Sequence, residues 1–400
     1  MEDALERPRT AAASATARQP AELLRTPDLE PFAGRQLSPR GRRWLIPLGI
    51  FAASRAALWV VLIFALKLPG AGGTNRFLDY WDSAWYVQIA KTGYPRTLVP
   101  APGQSDHAFF PLYPIGIKIL HTVIGSWNVS SLLITLVASG LAMVAIYHLV
   151  ERLTDEGTAL RSVALTCFFP WAFIFSMGYA EGLMMLFAAV CLLALLDDHW
   201  LLAGVAALLA GAVRPNGFVL FFPCAWAAYL AIRRTRSWTP LVAPVLAPLG
   251  ILGFFFYLQR RTGDFFADLT ARQRGWGGHN IQFSASQLPH VVATYLAHPL
   301  NDLNRTASLA ILVLLVISVV LMVRWRPPAI LWLYSLPIIA LALYYDTYAS
   351  MPRFYLTAFP LLVAIARPLK DVPFWITVAV SSMLMVGIFL LIGTTTWMLP

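Results

Sequence analysis

Apolar segments long enough to cross a membrane recur from residue 44 to near the carboxyl end of this chain, and nothing else constrains its fold as strongly. Backbone polar groups in lipid must bond within their own segment, which favours helices. A helix crossing a core of about 30 Å needs about 20 apolar residues. On that criterion about eleven spans are predicted, at 44–66, 128–150, 159–177, 180–196, 200–214, 217–232, 240–258, 306–323, 328–345, 353–369 and 373–398. The fifth is short and is expected to tilt, to break or to pair tightly with a neighbour. Composition agrees. Of 400 residues, 58% are hydrophobic and 12% are Asp, Glu, Lys or Arg, against about 25% charged in soluble domains. Mean hydropathy is +0.65. The fold class is therefore an all-α polytopic membrane protein, and disordered, collagen-like, coiled-coil and disulfide-scaffold classes are excluded.

Residues 1–43 differ in kind. They are rich in Ala, Pro, Arg and Glu without an apolar period, and are predicted to form a disordered cytoplasmic tail ahead of a transmembrane domain at 44–400. Arg40, Arg42 and Arg43 abut the first span and are expected to keep its start in the cytoplasm. A twin-arginine export signal fits less well, since no A-x-A cleavage site follows. The net charge of +10 is read as positive-inside bias plus attraction to anionic lipid. No basic run interleaved with aromatics suggests a nucleic-acid partner. Cys167, Cys191 and Cys224 lie in apolar runs without metal-ligand spacing and read as small core residues.

With the amino terminus inside, the basic residues of the short loops fall in the cytoplasm. Two long loops, about 67–127 and 259–305, fall together on the extracytoplasmic face. The stretch Phe109–Ile124, interrupted by Pro111, Pro114, Lys118 and His121, is expected to lie on the membrane surface as an interfacial helix. Long loops are uncommon unless functional, which points to an active site on that outer face.

The outward carboxylates are then Asp79, Asp82, Asp106, Glu181, Asp264, Asp268, Asp302 and Asp346. Asp79 and Asp82 stand three apart and share a helix face, with Tyr80, Trp81, Trp85 and Ile89 giving that helix an amphipathic body. They either act chemically or simply meet the dipole at a helix start. Glu181 and Arg214 sit at span ends, in Gly178-Tyr-Ala-Glu-Gly182 and Arg214-Pro-Asn-Gly217. Ionisable groups at membrane depth are costly and are functional suspects; snorkelling or a mutual ion pair is the alternative. Arg353, in Ser350-Met-Pro-Arg353, can fork onto a phosphate or anchor to lipid headgroups. His107, beside Asp106 and ahead of an aromatic run, is the histidine placed best to line a site. No H-E-x-x-H, G-x-S-x-G, P-loop or G-x-G-x-x-G pattern occurs, so zinc hydrolysis and direct use of ATP or NAD are not indicated.

Trp81-Asp-Ser-Ala-Trp-Tyr-Val-Gln-Ile-Ala-Lys-Thr-Gly-Tyr94, followed by Ala108-Phe-Phe-Pro-Leu-Tyr-Pro114, resembles the PIG-V family of mannosyltransferases, of the GT-C membrane glycosyltransferase class. Gly178-Tyr-Ala-Glu181, Arg214-Pro-Asn-Gly217 and Ser350-Met-Pro-Arg353 resemble later segments of that family, so the similarity spans about 44–370. Tyr80 stands where the family pattern has a basic residue. The resemblance implies a GT-C-like fold that moves mannose from a polyprenyl-phosphate-linked donor to an acceptor hydroxyl outside the cytoplasm, with inversion. It implies Asp82 as general base, and Arg353, then Arg214, at the donor phosphate. Asp79, Trp81, Trp85, Tyr86, Asp106, His107, Phe109, Phe110, Tyr113 and Glu181 would line the site, the aromatics holding the lipid headgroup. No cofactor is indicated beyond a divalent metal, which Asp79 and Asp82 could hold through their oxygens. Glycolipid, polysaccharide and protein acceptors all stay open. From another class comes a lipid or polysaccharide transporter without chemistry. Such a protein gathers ionisable groups at the bilayer midplane, whereas the spans here are nearly charge-free apart from Arg55, and the polar residues gather in the outer loops.

Overall fold

The computed structural model describes residues 39–65, 81–275, 293, 297, 303–344 and 350–394. The expected tail at 1–43 lies outside these residues except for its end, where helix α1 (Arg40–Ala65) begins ahead of Trp44. The first outer loop contributes α2 (Asp82–Thr92), a 3-10 turn (Asp106–Ala108) and α3 (Leu112–Ile124). Then follow α4 (Trp127–Leu153), α5 (Glu156–Cys167), α6 (Glu181–Leu196), α7 (Trp200–Val213), α8 (Phe221–Thr235), α9 (Val242–Leu246) and α10 (Leu249–Thr262). The second outer loop holds α11 (Ala267–Gly275), and the chain ends with α12 (Leu303–Trp325), α13 (Ala329–Tyr344), α14 (Met351–Thr357), α15 (Pro360–Ala366) and α16 (Asp371–Thr394).

Among the described residues, five helical segments are long and apolar enough to span a membrane, within Gly41–Phe64, Trp127–Leu153, Pro215–Thr235, Leu303–Trp325 and Asp371–Ile392. Thr239–Leu246 with Leu249–Thr262 forms a sixth, bent by 41° at Pro248, whose ring forbids a straight helix. Two expected spans are broken. The segment 159–177 stops at Cys167 before Phe169-Pro170, and 353–369 is split at Phe359-Pro360. A proline nitrogen carries no hydrogen with which to continue the helical bonding, and uninterrupted hydropathy hides such breaks. The short fifth segment, α7, packs tightly: a Cβ on Gly204 would sit 3.0 Å from Ala243 Cα, and one on Gly250 would strike the Leu208 carbonyl. Small residues thus let backbones approach, as in other membrane helix pairs.

The break after α5 is filled from α1. Helix ends leave carbonyls without partners, and buried Arg55 donates to Cys167 O at 2.7 Å and Ala172 O at 2.5 Å. The two ends of the bundle separate by charge partnership. Arg43–Glu151 (3.1 Å), Arg152–Asp197 (2.8 Å) and Arg234–Asp198 (2.7 Å) join residues of the short loops expected inside. At the other end the two long loops touch. Arg261 Nε donates to Tyr94 O at 2.9 Å, Arg272 donates to Ala108 O, and Gly103 N donates to Arg274 O at 3.2 Å. The described parts of the two loops therefore lie against each other.

Candidate active site

Four charged residues from four distant segments meet at the end of the bundle where these loops touch. Asp82 opens α2, Glu181 opens α6, Arg214 follows the last residue of α7, and Arg353 lies in the first turn of α14. Carboxylates at helix starts and a cation at a helix end all oppose the local dipole favourably. Arg353 NH1 donates to Asp82 Oδ2 at 2.5 Å and to Glu181 Oε1 at 3.3 Å, and Arg214 NH1 donates to the same Glu181 Oε1 at 2.7 Å. The result is one linear chain, Asp82–Arg353–Glu181–Arg214. Side-chain exposure rises from 1% at Glu181 and 9% at Arg353 to 14% at Arg214 and 20% at Asp82. Glu181 is the deep member and Asp82 the accessible one.

Local sequence sets these positions. Trp81 takes φ 54° and ψ −136° immediately before Asp82, a region nearly reserved for glycine, at a cost of about 1–3 kcal/mol. Gly178 and Gly182 flank Glu181 where side chains would collide: a Cβ on the first strikes Ser131 Oγ and one on the second strikes Ser139 Oγ. Gly217 likewise lies against the Ala210 carbonyl, folding the Arg214-Pro-Asn-Gly turn back on α7. The Gly178–Glu181 turn is buttressed from behind. Tyr113 OH shares a 2.6 Å hydrogen bond with Thr135 Oγ1, which donates at 2.9 Å to Tyr179 O.

The expected lining residues divide. Tyr86, one turn along α2 from Asp82, is buried, and that burial pushes its hydroxyl well above the ordinary range; the fields of Arg214, Glu181, Asp82 and Arg353 act on it as well. Trp85 stacks on Phe109 at 5.8 Å, and Tyr86 meets the edges of Phe109 and Tyr113 at 5.2 and 4.9 Å. Phe109, Phe110 and Tyr113 are buried in the core behind α2. They support the helix and do not present rings to a lipid headgroup, because aromatic side chains suit a packed interior as well as an interface. His107 is also buried and spoken for: Nε2 donates to Pro95 O at 3.0 Å and Nδ1 accepts from Ser105 Oγ at 2.7 Å. Burial lowers its pKa, and burial raises that of half-buried Asp106 beside it. This pair holds the 95–109 loop. Asp79 lies outside the described residues, and among those described no three His, Cys, Asp or Glu side chains group to hold a metal ion.

Sequence reading missed two residues at the site. The Tyr179 ring lies under the Arg353 guanidinium, 5.4 Å from centroid to Cζ, and Ser350 Oγ accepts from Arg353 NH2 at 2.7 Å. Both stand inside the quoted Gly178 and Ser350 segments, so proximity to an ionisable residue was their available signal.

Known proteins bear on this architecture. The family profile described as dolichyl-phosphate-mannose-protein mannosyltransferase matches residues 106–257, which include Glu181 and Arg214. ArnT from Cupriavidus metallidurans bound to undecaprenyl phosphate is similar in structure at a TM-score of 0.50 and 12% identity, over 83% of this chain and 62% of that one. At that identity the likeness is one of fold. A second structure, an oligosaccharyltransferase from Archaeoglobus fulgidus in complex with zinc and sulfate, is similar at TM-score 0.45 and 13% identity, over 86% of this chain and 53% of that one. The chain thus spans under two thirds of the length of either structure. No curated protein matches the sequence.

Proposed function

We propose that this protein is a multi-pass membrane glycosyltransferase that moves mannose from a polyprenyl-phosphate-linked donor to an acceptor hydroxyl on the extracytoplasmic face, with inversion. One observation carries the reading: a partly exposed carboxylate, Asp82, in contact with a buried arginine, Arg353, at the end where both long loops meet. Asp82 takes the proton of the acceptor hydroxyl. The acceptor oxygen forms a bond to the anomeric carbon as the bond from that carbon to the phosphate oxygen breaks. The leaving lipid phosphate keeps the electron pair, and Arg353 stabilises the charge that develops there. The family profile names a lipid-phosphate mannose donor, and the ArnT structure holds a polyprenyl phosphate; both favour this donor class. Against a transporter stands Arg55, an arginine midway along α1 whose donors are spent largely on backbone carbonyls at a helix break. The test is transfer by purified protein in nanodiscs, using polyprenyl-phosphate-mannose labelled in the sugar and a panel of glycolipid, polysaccharide and peptide acceptors. Label in a covalent product with inverted anomeric configuration is expected. Label that crosses the bilayer unchanged, with no product, refutes the enzyme reading.

A further inference from the structure

The charge chain poses a geometric conflict. In an inverting displacement the base and the group holding the departing oxygen act on opposite faces of a sugar; the two carboxyl groups that flank the sugar in inverting glycoside hydrolases stand about 6.5–9.5 Å apart. Asp82 and Arg353 touch at 2.5 Å, so no sugar fits between them. One of them has to move. Asp82 is fixed in the first turn of α2, whereas Arg353 has a long side chain and a second carboxylate to lean on. That carboxylate, Glu181, is almost fully buried. Its Oε1 is held by Arg214 at 2.7 Å and reaches Arg353 NH1 at 3.3 Å, and its Oε2 has no hydrogen-bond partner. Arg214 spends one guanidinium nitrogen on Glu181.

We propose that Glu181 is a positioning residue on which Arg353 pivots, exchanging Asp82 for the donor phosphate, so that Asp82 is released as a base only once donor is bound. The proposal rests on the donor class given above. Bound donor draws the guanidinium toward its phosphate while Glu181 keeps the arginine neutralised and oriented. Asp82 then accepts the hydroxyl proton as the acceptor oxygen joins the anomeric carbon and the lipid phosphate leaves. Without donor, the base stays closed in its pair with Arg353.

The two carboxylates then have opposite effects on lipid phosphate binding, although each contributes one negative charge. Undecaprenyl phosphate is titrated into nanodisc-embedded wild type, Asp82→Asn and Glu181→Gln, with folding checked by thermal unfolding and binding read by native mass spectrometry. Asp82→Asn removes a competitor and is expected to tighten binding about tenfold, while Glu181→Gln removes the pivot and weakens it by about the same factor, both within the usual span of site couplings. Glu181→Asp, which keeps the charge but shortens its reach, weakens binding too and serves if the Gln variant does not fold. Equal tightening by both neutral variants means bulk charge alone governs binding, and overturns the pivot. If wild type and variants all fail to bind the lipid phosphate, the donor assignment itself falls, and the pivot with it.

Discussion

Arg214→Met and Glu181→Gln, singly and together, measure how far the buried chain depends on its inner link. Glu181 is 1% exposed and Arg214 is 14% exposed, and their 2.7 Å contact is the shortest that Glu181 makes. Removing one partner of a buried pair typically costs about 3–5 kcal/mol, because the other charge is left without compensation. Arg353 still reaches Glu181 at 3.3 Å, so Arg214→Met should sit at the lower end, near 3 kcal/mol. Glu181→Gln leaves Arg214 partly open to solvent and Arg353 bound to Asp82, which suggests a cost of about 2–3 kcal/mol. In the double variant neither charge of the inner pair remains to be stranded by the other. Its cost should therefore fall short of the sum by about 2 kcal/mol, well inside the range measured for close charge pairs. Equilibrium unfolding of the detergent-solubilised proteins gives all four corners of the cycle. Additivity within about 0.5 kcal/mol refutes the reasoning, since independent residues behave that way.

His107 is held neutral by burial, its pKa lying below the ordinary 6.5. Its contribution is present above that value and is lost as pH falls through it, because the unfolded chain takes up the proton first. Protection factors across 95–109, corrected for intrinsic exchange, should fall below about pH 6.5 in wild type, and His107→Gln should remove that dependence. Gly182→Ala drives a Cβ onto Ser139, whose own Cα would lie 3.2 Å away, and should cost about 1–3 kcal/mol in thermal unfolding. Gly253→Ala, with open space around it, should cost nothing, so equal losses in the two contradict the close-packing account. Arg55→Leu orphans the carbonyls of Cys167 and Ala172 and should destabilise the protein by about 2–4 kcal/mol; unchanged thermal unfolding would deny Arg55 its role in closing the break.

Asp82, Glu181, Arg214 and Arg353 stand out in sequence for one physical reason: charge in apolar surroundings is expensive, so each one retained there calls for a partner or a task. Their mutual pairing was not legible. Asp82 and Arg353 are 271 positions apart, and no periodicity links residues that distant. For Glu181 and Arg214 the ion pair was one of the readings left open, and the structure contains it. For Arg353 the headgroup-anchor alternative recedes, since the guanidinium is buried between two carboxylates. Ring chemistry misled at Phe110 and Tyr113, which look like interfacial aromatics but brace the Gly178 turn and the core. Span boundaries at Pro170 and Pro360 were lost because the flanking residues are apolar on both sides, so hydropathy continues where the helix does not. Charge bias in the short loops grouped the two long loops in sequence, and their described parts touch in the structure.

The central claim is that the Asp82 carboxylate removes the acceptor proton, and single-turnover transfer by Asp82→Asn tests it most directly. With enzyme loaded with polyprenyl-phosphate-mannose and mixed with acceptor, loss of a general base should slow the chemical step by about 10²–10⁴-fold, with donor still bound and the thermal unfolding profile retained. A single-turnover rate within a few-fold of wild type contradicts the assignment of Asp82 as the base.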